Sequence, residues 1–292
     1  MTRFTLSVWT LIALLAFAAN SILCRFALGA GTIDAGSFTA IRLLSGAVVL
    51  TLLLMWRSDH SDHRRGIGRP AGSWRASAFL FVYAATFSFG YLSLDTGTGA
   101  LVLFGAVQIT MILVTLIRGH QLHVAEWIGL LCAFFGLVYL LWPNLATPSF
   151  IGFVLMATAG VAWGLYTLAG RDSNEALTDT AWNFIRSLPL ALLLLLAVWP
   201  SASWSSSGVW LAVASGAIAS GLGYAIWYHA LSHLTATQAA VLQLLVPVLA
   251  AIGGVFVVGE VISTRLVIAS AIVLGGILLV LLNRRRAQPN GD

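Results

Sequence analysis

Residues 37–55 read SFTAIRLLSGAVVLTLLLM and residues 181–198 read AWNFIRSLPLALLLLLAV. Each is an apolar run of the length that crosses a bilayer, and each carries one arginine, Arg42 and Arg186. A guanidinium inside such a run is costly and marks a functional or strongly paired position. The two lie 144 residues apart, about half of the 292-residue chain. One buried arginine per half points to a membrane protein assembled from two copies of one unit.

Composition supports the bilayer. The chain is 59% hydrophobic and only 9% charged, with a mean hydropathy of +0.94, whereas soluble domains carry about 25% charged residues. The pI of about 9.8 comes entirely from arginine; lysine is absent. Because these arginines lie between apolar segments, their partner is anionic lipid headgroups and not nucleic acid. Cys24 and Cys132 both fall inside apolar runs, which indicates neither a disulfide framework nor a metal pair. The first run contains Asn20 and Arg25 and is longer than the 7–15 residues or so of a signal-peptide core, so it reads as a retained span.

Ten stretches are long enough to span: 6–28, 36–56, 74–94, 97–117, 124–142, 150–170, 180–199, 208–230, 235–257 and 265–283. Backbone amides in lipid must bond within their own segment, so these are expected to be helices and the fold all-α. Arginine collects in alternate connections: Arg3; Arg57, Arg64, Arg65, Arg69 and Arg75; Arg118; Arg171; and Arg284, Arg285 and Arg286. The other set holds Arg265, with Arg25 at a helix end. The positive-inside rule then places both termini in the cytoplasm.

The later parts of the halves align at an offset of 139, laying Gly136 over Gly275 and Gln108 over Pro247. The early parts align at 144, and the longer 57–73 connection absorbs the difference. Five spans is an odd number, so the second copy must enter from the opposite side. Residues 1–145 and 146–292 are accordingly expected to be two inverted five-helix repeats of one transport domain, a recurrent plan for carriers with a midplane site.

On these features the chain resembles the drug/metabolite transporter superfamily, in particular its EamA-type ten-helix members. The matching residues are the 5+5 plan, Trp163-Gly164-Leu165-Tyr166, Pro247, Gly259-Glu260 and Gly275-Gly276. Within that group it is most similar to the YddG-type aromatic amino-acid exporters of bacterial inner membranes. The first half departs from the pattern, with Gln108 where proline would stand and Gln121 where glutamate would stand. The resemblance implies a small-molecule carrier of the inner membrane working by alternating access, with a monomer plausible, no cofactor and no enzymatic activity. It also implies a conformational role for Pro247.

None of the ten acidic residues lies mid-span; Glu126, Asp179 and Glu260 sit at helix ends. Proton-driven multidrug carriers relay protons through buried carboxylates, and small multidrug relatives resemble that scheme with a first-helix glutamate where this chain offers Asn20. Facilitated movement of a neutral solute is the simpler reading. The polar and aromatic residues expected to bind substrate are Asn20, Tyr83, Ser88, Tyr91, Gln108, Trp163, Tyr166, Tyr224, Trp227 and Gln243. Rings with a polar tip stack on a flat solute and still offer hydrogen bonds. Ser21, Tyr228 and Gln238 belong to the same polar set. Arg42 and Arg186 are candidate gates or carboxylate contacts.

Each assignment has a plainer counterpart. The arginines snorkel to helix-end carbonyls, Tyr83, Tyr224, Trp227 and Tyr228 form an interfacial belt, and Gln108 and Gln243 act as interhelical glue. Asp59-His60 with Asp62-His63 reads as a solvated loop, and His229 with His233, lacking a third ligand, as an interfacial pair. Gly216 with Ser220 reads as close helix packing. The alternative functions are a nucleotide-sugar or other anionic-metabolite carrier and, with no nucleophile–base set in view, an intramembrane lipid-modifying enzyme.

Overall fold

The computed structural model describes residues 3–59, 71–117, 119, 124–140, 149–170, 175–231, 233–234 and 242–287. They form α1 (Arg3–Gly29), α2 (Ala35–Asp59), α3 (Trp74–Gly90), α4 (Thr96–Ile117), α5 (Val124–Leu140), α6 (Phe150–Gly170) and α7 (Ala176–Val198). α8 is one continuous path in three pieces, Ser206–Val213, a π-helical stretch Ala214–Leu222, and Gly223–Leu231. α9 joins Leu245–Gly253 to a second π stretch, Gly254–Val258, and α10 covers Thr264–Ala287. The fold is all-α, and the chain is a multi-pass membrane protein. Six of these runs are long and apolar enough to cross a bilayer, with shorter apolar helices inside α5, α9 and α10. Leu192, Leu193 and Leu196 on α7, and Phe134 and Phe135 on α5, point outward, the arrangement lipid favours and water does not.

Nine of the expected spans coincide with described helices, while the span expected at 235–257 begins among residues outside the described ones; two differences are informative. α8 is not a plain α-helix: its ASGAIASGL segment widens to i→i+5 bonding. Small residues leave little side-chain packing to oppose the widened turn, and such stretches are frequent at functional sites. In α9 the helix breaks at Leu244. Pro247 has no N–H to offer the Gln243 carbonyl four residues earlier, so the kink expected from proline takes the form of a break at this point. The loop residues His60, Asp62, His63, Arg64, Arg65, Arg69, Arg118, Gln121, Arg171 and Gln238 lie outside the described residues.

Packing runs α5 on α10, α6 on both α3 and α4, α2 on both α7 and α8, and α1 on α8 and α9. α4 lies innermost, 78% of its spanning window being buried against 28% for α7. In the α5–α10 seam Gly276 fits against the Gly129 carbonyl, where an added Cβ would come within 2.6 Å. Gly136 faces Ile272 and Val273 there, while Gly275 faces open space. Gly276 and not Gly275 therefore carries the close approach.

Two clasps close opposite ends of the bundle. At one end Asp34, which caps α2 by accepting from the Ser37 amide, also accepts from the Ser203 amide at 3.1 Å ahead of α8. At the other end Asp179 near the start of α7 accepts from the Gly72 amide at 2.7 Å ahead of α3. Ser205 and Ser73 then cap α8 and α3 through their hydroxyls.

Candidate functional site

The site is built where α1, α2, α3, α6 and α8 meet. Arg42 on α2 is 1% exposed. Its Nη2 donates to the Tyr83 hydroxyl at 2.8 Å and its Nε to the Ser220 hydroxyl at 3.2 Å. The guanidinium also lies over the rings of Tyr83 and Phe87, 5.0 and 4.9 Å from their centroids. Asn20 on α1 donates to the Tyr83 oxygen at 3.2 Å and accepts from Ser215 at 2.6 Å. Ser215 and Ser220 both sit on the π stretch, five residues apart, so one π turn aligns them toward the site. Gly216 between them lets α8 press onto α2: a Cβ there would overlap the Arg42 carbonyl and the Ser45 hydroxyl.

Against this polar string stands an aromatic cluster centred on Trp163 of α6. Its ring is 4.8 Å from Tyr83, 4.9 Å from Tyr224 and 5.5 Å from Tyr166. Phe17 touches Trp163, Tyr224 and Trp227 edge-on at 6.3, 5.9 and 5.6 Å, and Phe184 packs on Tyr224. Tyr83, Trp163, Tyr166, Tyr224 and Trp227 are all buried. Six buried polar atoms on these helices and α4 have no hydrogen-bond partner among the described residues: Ser37 Oγ, Arg42 Nη1, Thr96 Oγ1, Gln108 Nε2, Tyr166 Oη and Tyr224 Oη. Orphaned polar groups in a buried site are expensive, and three of them, on Arg42, Tyr166 and Tyr224, belong to side chains packed on the ring cluster. Polar-tipped rings of this kind can stack on a flat solute and hydrogen-bond its polar end.

Residues 150–282, the whole of α6 through most of α10, match the EamA-like transporter family. An uncharacterised protein of Pseudomonas aeruginosa is 51% identical over 275 residues, covering 94% of each chain. The chain belongs to the EamA-like transporter family. Other EamA relatives are more distant: the uncharacterised transporter YoaV of Bacillus subtilis is 21% identical, covering 83% of this chain and 85% of that protein. An uncharacterised transporter of Archaeoglobus fulgidus is 25% identical, covering 86% and 89%. A solved crystal structure at 20% identity superposes with a TM-score of 0.66, covering 98% of this chain and all of that one, which shows the shared fold. This EamA protein is therefore a membrane transporter of the drug/metabolite superfamily, and its relatives' names point away from an enzyme.

Of the residues expected from sequence, the EamA fold brings Asn20, Arg42, Tyr83, Trp163, Tyr166, Tyr224 and Trp227 into one place. Burial removes Tyr83, Tyr224 and Trp227 from any interfacial belt. Gln108, Gln243 and Pro247 are buried on or beside α4 and α9. Ser88 bonds the Ala84 carbonyl within its own helix, and Tyr91 closes the end of α3 on the Thr96 carbonyl. Arg186 is elsewhere. It donates to the Ala71 carbonyl and stacks over Trp74 and Trp182 at 5.8 and 5.6 Å, bracing the Asp179 clasp. His229 and His233 lie 5.7 Å apart and exposed, with His229 edge-on to Trp9.

Sequence reading missed Phe17, Ser215 and Phe87. It also missed a second cluster at the end of the bundle that holds Asp34. Arg25 Nε donates to Glu260 at 3.1 Å, its Nη1 to the Tyr91 carbonyl, and its Nη2 reaches Asp95 at 3.5 Å. Both Glu260 oxygens accept from the Thr96 amide, at 3.0 and 2.9 Å, at the start of α4. This cluster ties the ends of α1, α3, α4 and α9 together.

Proposed function

We propose that this EamA transporter exports small neutral metabolites, foremost aromatic and hydrophobic amino acids, across a bacterial inner membrane by alternating access. Both termini are cytoplasmic, and residues 1–145 and 146–292 are inverted five-helix repeats acting as one transport unit. The observation that carries the reading is the buried Trp163–Tyr83–Tyr224–Tyr166 cluster with unpartnered hydroxyls. Its rings match a flat apolar body and its free oxygens match a polar end. The repeat reading is supported by the Asp34 and Asp179 clasps, which join corresponding elements at opposite ends. The packing pairs support it too: α3 on α6 has its counterpart in α8 on α1, and α2–α7 and α5–α10 are self-paired. A nucleotide-sugar carrier would bring several phosphate charges to a site where, among the described residues, Arg42 is the cation.

The test is efflux of labelled phenylalanine from proteoliposomes holding the purified chain. Flux above protein-free vesicles is expected. Trp163→Phe, which keeps an aromatic ring in the cluster, lowers that flux severalfold while the melting temperature stays close to wild type. Folded protein that moves no aromatic or hydrophobic amino acid refutes the reading.

A further inference from the structure

We infer that Arg42 is the carboxylate-binding element of this site, and that the site reads the carboxylate of an aromatic or hydrophobic acid without reading its ammonium group. The inference deepens the proposed function and rests on the reading of this cluster as the substrate site.

The argument is an inventory of donors and acceptors. Arg42 is buried, and among the described residues no carboxylate pairs with it. Its hydrogen-bond partners are the neutral oxygens of Tyr83 and Ser220, and Nη1 has none. A buried guanidinium held only by neutral groups retains its full charge in a medium that penalises charge. Beside it, the Tyr83 oxygen already accepts from both Arg42 and Asn20, so its own O–H is left to donate elsewhere. Tyr224, within electrostatic reach of Arg42, adds another unpartnered hydroxyl. The Tyr83 and Tyr224 hydroxyls lie beside one another, so one O–H of that pair together with Arg42 Nη1 fits the two oxygens of a carboxylate, with a charge-assisted bond on the guanidinium side.

An ammonium finds less: the Tyr224 hydroxyl can accept from it, but among the described residues no carboxylate balances its charge there. The one side-chain carbonyl of the string, Asn20 Oδ1, is taken by Ser215 at 2.6 Å. The ring faces of Tyr83 and Phe87, which attract cations, already carry Arg42. A second positive charge would also sit against the guanidinium with no counter-charge. The amino group of an amino acid is thus tolerated at the margin of the site and contributes little to recognition.

Three solutes sharing one ring and a two-carbon chain separate these groups: phenylalanine, 3-phenylpropionate and phenethylamine. Thermal-shift titration of the detergent-purified chain reads binding, and competition against labelled phenylalanine efflux reads transport. Phenylpropionate is expected to bind and compete about as well as phenylalanine, and phenethylamine to do neither. Arg42→Gln weakens phenylpropionate binding about 10- to 100-fold, the factor expected for hydrogen bonds to a charged group, and Arg42→Lys restores part of it. Phenethylamine binding as tightly as phenylpropionate overturns the inference, and so does undiminished carboxylate binding in a folded Arg42→Gln. Should that variant not fold, the three-solute comparison on the unaltered chain decides alone. Carboxylate-selective binding without flux supports the inference and refutes the carrier reading. Flux of phenylalanine without carboxylate selectivity does the reverse.

Discussion

Glu260 is the residue whose change should open one end of this transporter. Its carboxylate lies 3.1 Å from Arg25 Nε, with side-chain exposures of 12% and 20%, and accepts from the Thr96 amide at the positive end of α4. At an effective dielectric of about 20, unit charges about 4 Å apart attract by about 4 kcal/mol. Desolvation of two half-buried groups offsets most of this, leaving a net of roughly 1–2 kcal/mol. Glu260→Gln keeps an oxygen for Thr96 but loses the charge, leaving Arg25 with the Tyr91 carbonyl and the more distant, 61%-exposed Asp95. If this cluster holds the end of the bundle closed, the open fraction rises about tenfold, since roughly 1.4 kcal/mol corresponds to a factor of ten. Cys24, fully buried next to Arg25, is a built-in reporter. In a Cys132→Ser background, its alkylation by a membrane-impermeant maleimide, applied from the side carrying Asp95, is expected to be about ten times faster in Glu260→Gln. An unchanged rate in both Glu260→Gln and Arg25→Gln, each monodisperse by gel filtration, would refute the reasoning.

Two further substitutions probe the scaffold. Gly216→Val drives a side chain into the Arg42 carbonyl and Ser45. It is expected to cost at least about 1–3 kcal/mol, read as a lower melting temperature, and an unchanged melting temperature would place α8 farther from α2. Asp34→Ala removes a helix cap worth about 1 kcal/mol, and Asp179→Ala removes the hydrogen bond accepted from the Gly72 amide, worth about 1–2 kcal/mol. They should raise the labelling of cysteines introduced at Ser203 and Ala71 respectively, each at its own end of the bundle; labelling that rises at both ends in either variant would count against separate clasps.

How much of this was legible follows from what each residue signals. Arg42, Trp163 and Tyr166 stand out because a charge or a large polar-tipped ring is conspicuous in an apolar run, and the structure gathers them. Phe17 carries no such signal: a phenylalanine among leucines looks like any lipid-facing side chain, and only the fold turns it toward Trp163. Ser215 and Ser220 were hidden by their spacing. On an α-helix, positions five apart diverge by more than a third of a turn; the π stretch brings them together, and nothing in ASGAIASGL announces it. Arg25 looked like an interfacial arginine because its partner Glu260 lies 235 residues away.

The two arginines from which the repeat is proposed do different things, and the reason lies in the helix each one faces. Arg42 meets α8 at its small-residue π stretch, where Gly216 permits close approach and Ser220 is placed on the guanidinium. Arg186 meets the start of α3, where Trp74 takes the guanidinium over its face and the Ala71 carbonyl accepts from it. One position therefore holds a buried charge inside the cluster, and its counterpart braces a loop. Under the proposed repeat, Arg42 and Tyr83 belong to the first unit and Ser220 to the second, so the 3.2 Å bond to Ser220 crosses the boundary between them. Any motion that parts α2 from α8 must break that bond and expose more of the guanidinium. A carboxylate on Nη1 lowers the cost of doing so by supplying the counter-charge that the serine cannot. Binding and opening would then be coupled through a single side chain, with no carboxylate relay required.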